Sequence, residues 1–252
     1  MLLPNEKINY ILFFAGIRKR IGVGTKLYQV ITGVKGVGRN KYVPLRHEAD
    51  YSMDLARAIG VKTNNLETEI YLSEQEKGKV LDIRTKLLNK KKYLIGIHST
   101  SGNSAPNWKP EVYNNLICNL QNREDVKVVV TDFDVPNAIK VNCDIDSINE
   151  GNNLRETIIN LAALDLLSSA STGPMHIAAA LKVKTVSLFC PLTACSPKLW
   201  GPMGNENKVI LPAENYCENF CPGDPKKCDY NGEKGISVQQ VINNINLLLH
   251  FN

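Results

Sequence analysis

The chain has 252 residues, of which 43% are hydrophobic and 22% are charged. This composition is typical of a globular protein and excludes collagen-like, disordered and coiled-coil chains. Thirty basic residues against 25 acidic ones leave a net charge of +5, which suits an anionic ligand or an acidic membrane surface. It falls short of the dense basic stripe of a protein that binds nucleic acid.

Residues 1–70 differ in character from the rest and are interpreted as a first, partial domain. The apolar run 8–17 has about half the ~20 residues of a membrane span, and basic residues follow it rather than precede it. We therefore expect a buried strand or helix there, in a cytoplasmic protein. The glycines at 22–38 fit no dinucleotide-binding fingerprint and are interpreted as turns. A helix is predicted over 48–59, with Gly60 as its C-terminal cap.

Residues 71–92 are interpreted as a connecting segment, because the charge-rich stretch 67–92 predicts a solvated helix. From residue 93 to 252 the pattern becomes regular, since short apolar or β-branched runs alternate with helical periodicity. Such alternation predicts βαβ units and a parallel sheet, with ligands bound in the loops beyond the carboxyl ends of the strands. The predicted strands are 93–98, 126–131, 165–169 and 185–189, and the predicted helices begin at Pro110, Leu154, Pro174 and Ser237.

Two of these loops have the composition of an anion site. The loop 98–104 is rich in hydroxyls and is followed by Lys109, so it suits phosphate oxygens, although an ordinary polar loop has the same composition. The loop 171–176 leads into a helix whose unpaired N–H groups and dipole favour an anion. His176 lies in the first turn of that helix, where a histidine can serve either a ligand or packing.

Two further motifs allow more than one interpretation. Asp132 and Asp134 follow a predicted strand, where a carboxylate can bind either a metal or the ribose of a nucleotide, and we favour ribose. Cys217, Cys221 and Cys228 have the spacing C-x3-C-x6-C, which is short of the four ligands of a structural zinc. We expect a loop of reduced thiols, and the odd total of seven cysteines agrees.

The segment from Ser171 to Pro191 resembles the D-[ST]-G-x-x-H-x-x-A-A block of glycosyltransferase family 9, the heptosyltransferases of lipopolysaccharide assembly. The strand and loop I-G-I-H-S-T-S-G, followed by N-W-K-P, resembles the donor-phosphate loop of that family. The segment 151–163, the cysteine loop, and residues 20–22 and 46–60 resemble further parts of it. The resemblance covers nearly the whole chain.

The resemblance implies an α/β fold of the GT-B type, with two Rossmann-like domains and a nucleotide-sugar donor, typically ADP-heptose, bound by the second. It implies a lipopolysaccharide or other glycolipid acceptor, possible contact with the inner membrane, and no cofactor or metal besides the donor. Thr100 and Ser101 would contact the diphosphate, Lys109 would match the phosphate lysine, and Asp134 would stand near the acid that binds ribose. The diphosphate and sugar end would lie against Ser171, Thr172, Gly173 and His176.

Two departures from the family pattern bear on catalysis. Ser171 stands where the family has Asp. The family also opens with a strand and a glycine-rich turn carrying an Asp taken as the general base, and nothing before Ile8 matches that segment. About three βα units, on the order of 90 residues, would be absent. The catalytic residue is therefore unassigned, and Glu48 and Asp54 are candidates that a solvated helix face explains equally. The chain is expected to be an inverting glycosyltransferase or, alternatively, a truncated remnant that binds the donor without turnover.

Overall fold

The computed structural model describes residues 4–142 and 145–250, and these residues fall into two compact units that divide between Leu66 and Glu67. In these ranges the strands are β1 (Ile21–Val23), β2 (Lys35–Val37), β3 (Tyr93–His98), β4 (Val126–Val130), β5 (Asp146–Ser147), β6 (Leu166–Ala170), β7 (Lys184–Leu188) and β8 (Asn207–Ile210). The helices are α1 (Glu6–Phe14), α2 (Leu27–Ile31), α3 (Glu48–Arg57), α4 (Glu74–Leu88), α5 (Pro110–Gln121), α6 (Asn137–Asn142), α7 (Leu154–Ala162), α8 (Gly173–Ala180), α9 (Pro197–Trp200), α10 (Tyr216–Asn219) and α11 (Val238–Leu249).

The first unit contains a small βαβ motif within the glycine-rich stretch. β1 and β2 pair in parallel and are joined by α2. The interpretation of all these glycines as turns was therefore wrong for Gly22 and Gly36, which lie in the strands. A Cβ on Gly36 would come 2.5 Å from the carbonyl oxygen of Gly24, so the close backbone approach requires glycine there. Gly24 and Gly33 do occupy turns, with φ of +82° and +67°.

The apolar run at 8–17 forms most of α1, but several of its large side chains are exposed, so the expectation that it is buried was wrong. Ile11 and Phe14 are 65% and 80% exposed. The buried residue of α1 is instead Asn9, whose amide donates to the Thr32 hydroxyl at 2.7 Å. The predicted helix at 48–59 is α3, which ends two residues earlier, and Gly60 follows with φ of +97°.

The second unit is built on a parallel sheet, as predicted. Six strands in the described ranges have the order β5-β4-β3-β6-β7-β8. Alternate strand residues face opposite sides of the sheet, so Ile95 and Val128 join one core while Leu94 and Val129 join the other. Helices α5, α6 and α11 cover the first face, and α4, α7 and α8 cover the second.

The charged segment 67–92 is not a solvated connection. Its helix, α4, packs Val80, Ile83 and Leu87 against the second core. Arg84 binds both carboxylate oxygens of Asp165 at 2.9 Å. The apolar residues of α4 recur every three or four positions, so a charged sequence still presents a narrow apolar stripe to the sheet.

Candidate functional site

The carboxyl ends of β3, β4 and β6 are adjacent in the sheet, so the loops that follow them share one edge. The loop after β3, residues 99–109, lies between the loop after β4 and the start of α8. It contributes to two cavities, which have Ala105 in common. The predicted site residues other than Asp134 are thereby divided between two neighbouring cavities.

The larger cavity, which we call the donor-loop cleft, has a volume of about 500 Å³. The cleft is lined by Thr100, Ser101 and Lys109, which the sequence predicts to be residues of a phosphate loop. Its other lining residues are Ser99, Gly102, Asn103, Ala105, Asn107, Trp108, Pro110, Pro136 and the stretch Lys226, Lys227, Cys228 and Asp229.

Asp132 organises the start of the loop after β3. Its carboxylate has no exposed surface and accepts the backbone N–H and the hydroxyl of both Ser99 and Thr100, at distances of 2.6–3.1 Å. Because this carboxylate is buried and already accepts these hydrogen bonds, it is not available to bind a metal or ribose. Asp134, two residues on, is exposed, and it belongs to neither cavity.

The smaller cavity, which we call the helix-start pocket, has a volume of about 220 Å³ and surrounds the beginning of α8. Pro at the second position of α8 and the extended backbone of Thr172 direct the first N–H groups of the helix outward. The Thr172 hydroxyl is buried and has no hydrogen-bond partner among the described residues. The pocket is lined by Ser104, Ala105, Ser171, Thr172, Gly173, His176, Ala194, Cys195 and Trp200.

Lys109 is held by a carboxylate. Its ammonium group lies 3.1 Å from the carboxylate of Asp229. Although burial acts in the opposite direction, hydrogen bonds from the Asn231 backbone and from Lys109 lower the pKa of Asp229 below its ordinary value. Lys109 and Asp229 therefore line the cleft as an ion pair, in which the carboxylate balances the charge of the ammonium group.

The cysteine segment, residues 216–231, brings its thiols to the end of β7. Burial is the main cause that raises the pKa of Cys217. Burial likewise raises the pKa of Cys190 to about 11. These thiols are free in the structure. Within residues 4–142 and 145–250, no group of three potential ligands has an arrangement that would hold a metal.

The candidate bases of the first unit are both engaged in ion pairs. Glu48 pairs with Arg39, and Asp54 pairs with Arg46 and Arg57. The hydrogen bond from Arg46 is the main cause that holds the pKa of Asp54 below its ordinary value. A carboxylate with a lowered pKa is a weak base, so Asp54 is not arranged to take a proton from a hydroxyl.

Sequence reasoning missed several residues of the two cavities. Cys195, from the turn after β7, and Trp200, at the end of α9, line the helix-start pocket, and Lys226 and Lys227 line the cleft from the cysteine segment. The adjacent lysines were visible as a charge pair beside Cys228. Nothing in the local sequence indicates that they lie opposite a loop more than 100 positions earlier.

Comparisons with known proteins agree with this architecture. The chain matches glycosyltransferase family 9 (heptosyltransferase) over residues 7–228. It is 28% identical to a putative glycosyltransferase of Haemophilus influenzae, with 93% of this chain and 69% of that protein aligned. Among solved structures, it is similar to a family 9 glycosyltransferase of Veillonella parvula, with a TM-score of 0.77 and 21% identity over 100% of this chain and 73% of that one. It is also similar to the Escherichia coli ADP-heptose lipopolysaccharide heptosyltransferase II, with a TM-score of 0.64 and 18% identity over 97% and 80% of the two chains.

The chain thus has an α/β fold with a parallel sheet, the GT-B-like fold of these solved structures. The chain belongs to glycosyltransferase family 9, the heptosyltransferase family. The family resemblance expected from the 171–191 block is confirmed. Across residues 4–142 and 145–250, none of the helices combines the length and the apolarity that a bilayer crossing requires.

Proposed function

We propose that this protein binds a nucleotide-activated sugar, an ADP-linked heptose or similar sugar, and transfers the sugar with inversion to a lipopolysaccharide or other glycolipid acceptor. The supporting observation is the helix-start pocket, where a buried Thr172 hydroxyl without a partner adjoins the first N–H groups of α8. A buried hydroxyl that lacks a partner costs free energy, which a bound anion would recover.

The donor would lie along the carboxyl edge of the sheet. Its nucleoside would be near Asp134, its diphosphate over the loop after β3, and its sugar beside Ser171 and His176. In an inverting transfer, the acceptor hydroxyl attacks the anomeric carbon from the face opposite the departing diphosphate. Negative charge then grows on the diphosphate, where the first N–H groups of α8 and the unpartnered Thr172 hydroxyl would stabilise it. The residue that removes the hydroxyl proton stays unassigned.

Calorimetry with ADP and other nucleoside diphosphates tests donor binding, and a sugar-transfer assay on the same protein tests turnover. We expect binding of ADP. Absence of heat with every nucleoside diphosphate would contradict the proposal, whereas binding without transfer would favour the alternative of a donor-binding remnant.

A substitution at His176 separates a ligand contact from a packing role. For His176→Ala we expect donor affinity to fall by on the order of 1.5–3 kcal/mol, the value of a hydrogen bond to a charged group, with an unchanged melting temperature. The matched control is His250→Ala, at an exposed residue after α11. A lower melting temperature with normal binding would remove His176 from the donor site.

A further inference from the structure

The charge of the donor-loop cleft comes mainly from the cysteine segment. Four charged side chains line the cleft, Lys109, Lys226, Lys227 and Asp229. The only carboxylate among these lining residues is the one paired with Lys109. The positive charge left to meet an anion is therefore carried by Lys226 and Lys227, both of which are exposed.

The cysteine segment is tied directly to the loop after β3 through Asn107. The backbone N–H of Asn107 donates to the carbonyl of Cys228 at 3.2 Å, and its side-chain amide donates to the carbonyl of Ser99 at 2.6 Å. The Tyr113 hydroxyl donates to the Asn107 amide oxygen at 2.7 Å. One asparagine thus fixes the spacing between the start of the loop and the two lysines.

Trp108 joins the loop after β3 to the chain beyond the cysteine segment, and Asp224 holds the backbone of the two lysines. The indole N–H of Trp108 donates to the Ile236 carbonyl at 3.0 Å, beyond the far end of the cysteine segment. Asp224 accepts the backbone N–H of Lys226 through its side chain and that of Lys227 through its carbonyl, each at 3.0 Å. The lysine backbone is therefore set by a turn and by the buried Cys228 that follows it.

We propose that the cysteine segment is part of the donor site, and that Lys226 and Lys227 bind the phosphate oxygens of the donor across the cleft from Thr100 and Ser101. This inference rests on the proposed function, because it assumes that an anionic donor occupies this edge of the sheet. It assigns a role to the cysteine segment, whose backbone bond from Cys228 to Asn107 holds two binding residues against the phosphate loop. An ammonium group close to a phosphate is a strong, salt-sensitive contact.

The test compares Lys226→Ala/Lys227→Ala with the unaltered protein, using ADP, inorganic pyrophosphate and adenosine as probes in calorimetry. We expect affinity for ADP and pyrophosphate to fall by on the order of tenfold, adenosine binding to stay unchanged, and the salt dependence of ADP binding to become weaker. The result with pyrophosphate does not depend on the base of the donor, because pyrophosphate contains no base. Lys226→Arg/Lys227→Arg should restore most of the affinity, and Lys208→Ala, at an exposed residue of β8, should change nothing.

The outcomes distinguish this inference from the proposed function. If the unaltered protein binds ADP and the double alanine variant binds it equally well, the lysines are not phosphate ligands, while donor binding stands. An equal loss of adenosine binding would also overturn the assignment, since it would indicate a disturbed fold. If the unaltered protein binds neither ADP nor pyrophosphate, both proposals fail.

Discussion

The carboxylate of Asp132 receives both the backbone N–H and the hydroxyl of Thr100, at 2.8 and 2.6 Å. The single hydroxyl proton of Thr100 is therefore directed at a buried carboxylate rather than into the donor-loop cleft. This pairing makes Asp132 the residue that shapes the predicted phosphate loop, and it explains why one carboxylate of the D-x-D motif is unavailable to a ligand.

Replacement of this carboxylate should cost stability. For Asp132→Asn, we expect the free energy of unfolding to fall by about 2–4 kcal/mol, because an amide cannot accept all the hydrogen bonds made by Ser99 and Thr100. Denaturant unfolding measures the change. Asp134→Asn, at an exposed position, is the control and should leave stability unaltered; equal effects of the two substitutions would contradict the role of Asp132.

The unpartnered hydroxyl of Thr172 should matter for binding but not for folding. Thr172→Val removes a buried hydroxyl that has no partner among the described residues. We therefore expect the free energy of unfolding to stay unchanged or to rise. ADP affinity should fall by on the order of tenfold, since the hydroxyl would bind the donor. Ser187→Ala is the control, because its hydroxyl is also buried without a partner among the described residues but lies in β7. Unchanged ADP binding in Thr172→Val would remove Thr172 from the donor site.

The pair of Arg84 and Asp165 should stabilise the attachment of α4 to the sheet. Asp165 also accepts the backbone N–H of Leu94 at 2.8 Å, so the pair joins helix and strand. We expect a double-mutant cycle with alanine to give a coupling of about 1–2 kcal/mol. The exposed pair of Glu74 and Lys77 is the control and should give less than about 0.5 kcal/mol. Equal couplings would show that the first pair is an ordinary surface contact.

The free energy of unfolding should fall at alkaline pH because the buried thiol of Cys190 resists ionisation in the folded state. Burial raises the pKa of this thiol from 9.0 to about 11, so the folded state holds the proton more firmly than the unfolded state does. The stabilisation is fully present below about pH 9 and is lost as the pH rises toward 11. Between pH 9 and 11, the free energy of unfolding should fall less in Cys190→Ala than in Cys118→Ala. Cys118 is the control because its thiol is exposed. Identical pH profiles would contradict this assignment.

Donor binding should survive removal of metal ions. Asp132 is buried and fully hydrogen-bonded, and the positive field of the site comes from lysines and a helix start. We therefore expect ADP affinity to be unchanged by a chelator. A large loss that magnesium or manganese restores would show that the diphosphate is held through a metal.

The sequence by itself determined the class of fold and the loops to inspect. Hydrophobic runs and helical spacing are properties of short stretches of chain and can be recognised in the sequence. The structure accordingly has the predicted strand Tyr93–His98, the predicted helix starting at Pro110 and the predicted cap at Ser237. The block beginning at Ser171 likewise indicated the family.

Only the tertiary structure decided which side chains meet. Asp132 lies 32 positions from Thr100, and Cys228 lies more than 100 positions from Asn107. Contacts of this kind depend on strand order and on the packing of helices on each face, which local propensity does not encode. For the same reason, the pairing of β1 with β2 and the packing of α4 on the second core are properties of the tertiary structure.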